Sequence, residues 1–236
     1  MWNILDTGTA SARENMALDI KLLQNLSPSD DPILHLYDWA NPSATIGHFI
    51  KPEDFLNMDQ LDELKLDIAR RPTGGGIIFH LCDFAFSILI PSQHPFFSLN
   101  TLQNYITINE QIIQIIKPLL SKIGEPQLLE FSPVAQDSAS NRFCLANPTI
   151  YDIVINGRKI GGAAQRKTKV GLLHQGSITV ALPAISFLEK VLKSGTHVLS
   201  SMQTNSLSLL GPNSNDTDLK YMRASIKTKF ISHFSC

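Results

Sequence analysis

Arg70-Arg71-Pro72-Thr73-Gly74-Gly75-Gly76-Ile77-Ile78-Phe79-His80 is the stretch on which the reading of this chain turns. Two arginines run into three consecutive glycines, and an apolar run then ends in histidine. Glycine reaches positive φ without a Cβ penalty and lets another group lie against bare backbone. Three in a row raise the entropic cost of folding, so the stretch marks a tightly shaped main chain. Amide N–H groups in such a loop make a concavity for an anion, and two guanidinium groups add charge and planar donors. The residues therefore describe a cradle for phosphate or carboxylate that leads into a strand. A plain turn between a solvated arginine pair and a core strand has the same composition.

Working outward, β-branched and aromatic residues between Gly76 and Pro91 indicate two strands with a turn at 81–83. Upstream, Ser11-Ala12-Arg13-Glu14 has the form of a capping box, and Ala12, Met16, Ile20 and Leu23 follow at helical spacing, giving a helix over 11–26. Strands are expected at 33–39, from Ala44 and at 66–69, with a short polar helix over 51–64. Downstream, Tyr105, Ile108, Ile112, Ile115, Leu119 and Ile123 step by three or four. They predict a long helix kinked at Pro118 and stopped at Gly124. Residues 131–149 read as a long polar loop, of the kind that is commonly functional. Asn156-Gly157 is a type I′ turn signal between strands at 151–155 and 158–164. Another strand follows at 172–180, a helix at 184–193, a mobile Ser/Thr/Asn-rich stretch at 194–217, and a closing amphipathic helix over 217–236.

With 236 residues, 43% hydrophobic and 17% charged, the chain has the make-up of a soluble globular protein with a substantial core. A net charge of −1 points to neither nucleic acid nor membrane as a partner. The N-terminus lacks the basic start and long apolar run of a secretory signal. Three widely spaced cysteines (Cys82, Cys144 and Cys236) form neither a disulfide framework nor a metal-ligand pattern, and suit a reducing cytoplasm.

Two side chains stand out for chemistry. Lys159 follows the Asn-Gly turn and precedes Gly161-Gly162-Ala163-Ala164. A lysine at a hairpin tip is ordinarily solvated, with few packing contacts to lose on mutation, yet small neighbours leave room for a ligand chain. Cys144 lies in Asn141-Arg142-Phe143-Cys144, where a nearby cation would favour a thiolate nucleophile and burial would make an inert apolar residue. His80 and His174 each fit a satisfied core histidine, and for His174 that is the better reading. Cys82 and Cys236 have no neighbours that argue for chemistry, and Asp83 and Ser87 read as strand punctuation.

The Arg70–His80 motif together with Gly157-Arg158-Lys159-Ile160-Gly161-Gly162-Ala163-Ala164-Gln165-Arg166 resembles the lipoate–protein ligase A and octanoyltransferase family, relatives of biotin–protein ligases. Glu14–Asp19, Trp39 with Pro42 and Gly47, and Leu173–Ile178 extend the likeness. The resemblance implies one α/β (α+β) catalytic domain over 1–236, without a large accessory domain. Its sheet would be mixed and largely antiparallel, with a tunnel for an eight-carbon acyl chain. It implies Lys159 and Cys144 as catalytic residues. Arg70, Arg71, Thr73, Gly74, Gly75, Gly76, His80, Gly161, Gly162 and Ala163 would bind the acyl group or its adenylate. Lipoate or octanoate would be attached to one lysine of the lipoyl domains of 2-oxoacid dehydrogenases or the glycine-cleavage H protein. Two routes are implied: ATP and Mg²⁺ give an acyl-adenylate, or acyl carrier protein gives a Cys144 thioester. Gly76 matches the ligases, whereas Cys144 with Pro148, Tyr151 and Asp152 matches the transferases. Leu81 and Ile50 depart from the family's usual aspartate and glutamine. A non-catalytic lipoyl-domain-binding protein and a biotin–protein ligase are the alternatives.

Overall fold

Asp83–Pro91 is buried at every residue, because it is the third of seven strands and both faces of the sheet are covered. The computed structural model describes residues 1–212 and 214–235. The large sheet runs β1(Asn3–Ala10), β2(Ile33–Trp39), β6(Asp83–Pro91), β10(Gly171–Thr179), β9(Arg158–Lys167), β8(Ile153–Ile155), β7(Gln127–Leu128). Only β1 and β2 pair in parallel; the other neighbours are antiparallel. A second sheet of three strands, β4(Asp67–Arg70), β3(Ser43–Ile46) and β5(Ile77–His80), has β3 parallel to β4 and antiparallel to β5. The mixed, largely antiparallel architecture is the expected one, divided between two sheets rather than held in one.

Strand periodicity assigns each residue of β6 to a face. Phe84, Phe86, Ile88 and Ile90 enter the main core with Ile108, Ile112 and Ile115 of α3(Thr101–Ile116) and Ile226, Phe230 and Phe234 of α6(Asp216–Phe234). Ala85 and Leu89 turn the other way, toward Met16 and Leu23 of α1(Ala12–Asn25). The Ser11–Glu14 capping box that starts α1 is formed in full. A separate core joins the small sheet to Leu188 and Val191 of α4(Ile185–Val191) and to Met202 of α5(Val198–Asn205).

Several local expectations change. The 51–64 stretch is a 3₁₀ turn at Pro52–Asp54 followed by α2(Met58–Glu63). Pro118 does not kink a long helix. The α-helix ends at Ile116 and a 3₁₀ turn, Lys117–Leu119, takes over, since proline has no N–H to continue the ladder. Within the stretch expected to be mobile, residues 194–212 include α5 and their backbone is tied down: Leu207 N–H donates to Lys159 O at 2.8 Å and Leu209 N–H to Thr179 O at 3.1 Å. The predicted I′ turn forms, with φ of 50° at Asn156 and 75° at Gly157. Strand β1 carries no clear alternation and is held by its parallel partner β2. Cys236 lies outside the described residues.

The same parity sends His174 to the α3 face of β10. There it is fully buried, takes a bond at Nδ1 from Gln165 Nε2 at 2.9 Å, and leaves Nε2 without a partner among the described residues. It is a core histidine, but an incompletely satisfied one. Burial lowers its pKa to about 3. The native state thus refuses a proton that the unfolded chain accepts near pH 6.5. The associated stability is present above that pH and is lost as pH falls toward 3. Urea denaturation at pH 7 and pH 5 should show that His174→Leu narrows the stability gap between the two by about 2 kcal/mol. An unchanged gap would contradict this assignment.

Candidate active site

His35, Ser87 and Gln175 stand directly opposite one another on β2, β6 and β10, and parity turns all three toward α1. Asp19 of α1 is fully buried above this row. Its carboxylate accepts from His35 Nδ1 at 2.8 Å, Ser87 Oγ at 2.6 Å and Gln175 Nε2 at 2.6 Å. Because a carboxylate only accepts, His35 carries its proton on Nδ1. Gln175 Oε1 then accepts from Thr73 Oγ1 at 2.7 Å, so the polar row ends on the glycine-rich loop. Burial, reinforced by the Asp19 charge, raises Tyr37 well above the ordinary phenol value.

Arg71 fixes the other side of that loop. It is 5% exposed; Nη1 donates to Thr45 O at 2.9 Å and Thr45 Oγ1 at 2.7 Å, and Nη2 to Gly74 O at 3.1 Å and Gly76 O at 2.7 Å. Thr45 Oγ1, already accepting, donates to His80 Nε2 at 2.8 Å, and His80 Nδ1 donates to Asp83 Oδ2 at 2.7 Å. Burial lowers the Arg71 pKa, and the Cys144 sulfur opposes that by charge and by hydrogen bonding. Arg71 and Cys144 line the same cavity. Arg71 has no ion pair with a carboxylate among the described residues.

Cys144 is brought there by a segment laid across the glycines. Its N–H donates to Ile77 O at 3.0 Å, and a Cβ on Gly76 would stand 2.2 Å from the Arg142 carbonyl oxygen. Only glycine permits that approach. From the opposite wall comes Lys159, 6% exposed, its Nζ 2.6 Å from Asp152 Oδ2. Asp152 also accepts from Thr149 N–H at 2.7 Å and Thr149 Oγ1 at 3.1 Å. A Cβ on Gly162 would fall 2.6 Å from Lys159 Nζ, so this glycine too makes room for a functional group. Arg71, Cys144 and Lys159 open on one cavity of about 360 Å³ whose remaining walls include Met16, Tyr37, Ile50, Ile78 and Phe143. Its size lies at the small end of the ~300–1,000 Å³ typical of ligand sites, and a polar end with an apolar body suits a short acyl group.

A model of the lipoyl protein ligase A/B catalytic domain matches residues 11–229. The chain belongs to this family. Octanoyltransferase LipM of Carboxydothermus hydrogenoformans is 31% identical over 193 residues, covering 81% of this chain and 69% of that protein. A lipoate–protein ligase A bound with ATP superposes with a TM-score of 0.72 at 22% identity, covering 99% of this chain and 85% of that one. A bi-partite lipoate protein ligase of Thermoplasma acidophilum, described with its E2 lipoyl domain, gives 0.71 at 21% identity, with 99% and 83% covered. At these identities the structural likeness is one of fold. The protein is thus an enzyme of the octanoyltransferase and lipoate–protein ligase family.

Of the residues that the family motifs single out, Lys159, Cys144, Arg71, Gly75, Gly76, His80, Gly162 and Ala163 line the cavity. Arg70, Thr73, Gly74 and Gly161 do not. Arg70 Nη1 instead donates to the carbonyls of Gly47, His48 and Ile50, pinning the turn beside the cavity. Thr73 anchors the loop to Gln175. Arg142 is exposed and also lines the cavity, so Cys144 shares it with the buried Arg71 as well as with its neighbour in sequence. Asp83 and Ser87 are partners of buried hydrogen bonds, not punctuation. Asp19, Asp152 and Gln175 were visible in the motifs, but their roles depend on strand register.

Lys159 is not the loosely packed hairpin lysine that its position suggests. Its removal strands a buried carboxylate, which costs about 3–5 kcal/mol. Lys159→Ala should therefore lose stability of that order in urea denaturation, and adding Asp152→Asn should restore at least half, since the amide is neutral and still accepts from Thr149. Equal stability of Lys159→Ala and the wild type would refute the pairing.

Proposed function

We propose that the enzyme transfers an octanoyl group from acyl carrier protein to a lipoyl-domain lysine through a thioester on Cys144. The carrying observation is that Cys144 shares one small cavity with two buried cations, Arg71 and Lys159. The thiolate is the nucleophilic form of cysteine. The thiolate attacks the donor's thioester carbonyl, the donor C–S bond breaks, and the carrier thiolate leaves and is protonated. The lysine ε-amine of the acceptor then attacks the enzyme thioester, an amide forms, its proton is lost, and Cys144 is released. Lys159 is placed to hold the carbonyl oxygen as negative charge develops on it.

The curated relative bears an octanoyltransferase name, which supports this route. Gly76 matches the ligases, but the Arg142–Phe143 backbone lies directly against it. We therefore derive no step through ATP or Mg²⁺. The reading takes residues 1–236 as one catalytic domain, with octanoate or lipoate as the acyl group and the lipoyl domains of 2-oxoacid dehydrogenases or the H protein as acceptors. It places the enzyme in the cytoplasm, where a thiol stays reduced. Among the described residues no helix is long and apolar enough to cross a membrane.

Serine is a far weaker nucleophile than a thiolate at neutral pH. Cys144→Ser should lose at least about 10²-fold in octanoyl transfer from acyl carrier protein to an apo lipoyl domain, read by intact mass, while wild type works without ATP. A Cys144→Ser enzyme that acylates the domain at the wild-type rate and consumes ATP would establish the ligase route instead.

A further inference from the structure

Strand register lays a row of small residues across the central sheet. Gly162 of β9 stands opposite Ser177 of β10, and Ser177 stands opposite Ala85 of β6. Continued onto β2, the row reaches Tyr37, which packs with Ala85 and with Met16 of α1. Neighbouring strands lie ~4.8 Å apart, so the three steps from Gly162 to Tyr37 span about 14 Å. Gly162, Ser177, Tyr37 and Met16 all line the cavity. The cavity is therefore a trough that crosses the strands, floored by residues too small to fill it. Its two ends differ. At β9 stands the Lys159 ammonium, whose Nζ would lie 2.6 Å from a Cβ on Gly162. At β2 the trough is closed: Met16 is 3% and Tyr37 6% exposed, both within a packed cluster that includes Ala12, Ala69 and Ala85.

We infer that Met16 sets the length of acyl chain that the enzyme accepts. The inference rests on the proposed function, in which Lys159 holds the carbonyl oxygen at the β9 end. A chain fixed there and confined to the trough brings its last carbons against Met16. The neighbours of Met16 at the closed end are committed elsewhere. Gln175 donates to Asp19 at 2.6 Å and accepts from Thr73 at 2.7 Å, while the rigid Tyr37 ring packs edge-on against Trp39 at 5.3 Å. Met16 Sδ accepts from Gln175 Nε2 at 3.2 Å, which puts the thioether itself at the closed end. A thioether is only a weak acceptor, so the size of this side chain can change without stranding a charge. Its volume therefore decides how many methylenes fit between it and Lys159. One methylene more or less in an apolar pocket changes discrimination by about 10–200-fold.

Competition between donors in one tube tests this. Equal amounts of octanoyl– and decanoyl–acyl carrier protein are offered to the intact enzyme, and the acyl group on Cys144 is read by intact mass. The ratio of the two products does not depend on the fraction of enzyme that is folded. Met16→Ala should raise the decanoyl-to-octanoyl ratio at least about tenfold over wild type. Met16→Phe should lower the octanoyl-to-hexanoyl ratio by a similar factor in the matching competition. Should one variant not fold, the other decides. A wild-type ratio in either folded variant would overturn the inference. If wild-type enzyme forms no thioester from any donor, the proposed chemistry fails, but the length assignment is still decided by calorimetric titration of free octanoate and decanoate. There, relative affinities that Met16→Ala leaves unchanged would overturn it, and a shift toward decanoate would support it.

Discussion

A buried guanidinium without a carboxylate partner among the described residues is an expensive object, and much of the site is arranged around one. Arg71 is kept charged by hydrogen bonds to the Thr45 carbonyl and hydroxyl and to the carbonyls of Gly74 and Gly76. Those bonds tie the small sheet to the glycine-rich loop and give the loop its shape. They also leave the charge at the wall of the cavity that Cys144 lines. The structural and chemical roles of Arg71 cannot be separated, because the bonds that shape the loop are the ones that hold the cation at the cavity.

The loop is bracketed from the other side by the Asp19 row. Strand parity places His35, Ser87 and Gln175 on one line across three strands, and Asp19 accepts from all three. A network with every member satisfied rigidifies its surroundings. Here it fixes Gln175, which holds Thr73 and lines the cavity. The same parity sends the alternate residues, Phe86 and Ile88 among them, into the α3–α6 core. One face of the central sheet is thus built for packing, and the other for positioning.

Periodicity made the two faces of β6, the α1 capping box and the Asn156-Gly157 turn legible in the sequence, since each is a local property. The glycine-rich loop and Lys159 were legible as motifs. Four things were not. The burial of Lys159 comes from Asp152, reached across a β-bulge, and from the 206–207 backbone that covers it. Arg71, more than seventy residues away, is brought to the cavity that Cys144 lines. The need for glycine at position 76 arises from a carbonyl of a distant loop, and no composition rule carries that information. Residues 194–217 read as mobile on composition, whereas the backbone bonds that hold 194–212 are made to strands far back in the chain.

The central claim is that a thiol on this chain takes the acyl group directly from a thioester donor. Rapid mixing of wild-type enzyme with octanoyl–acyl carrier protein, with neither acceptor nor ATP present, measures this through the free carrier thiol released. The account predicts a burst that approaches one equivalent of carrier thiol per enzyme and then stops. No burst without ATP, with acyl transfer appearing only once ATP is added, would contradict it.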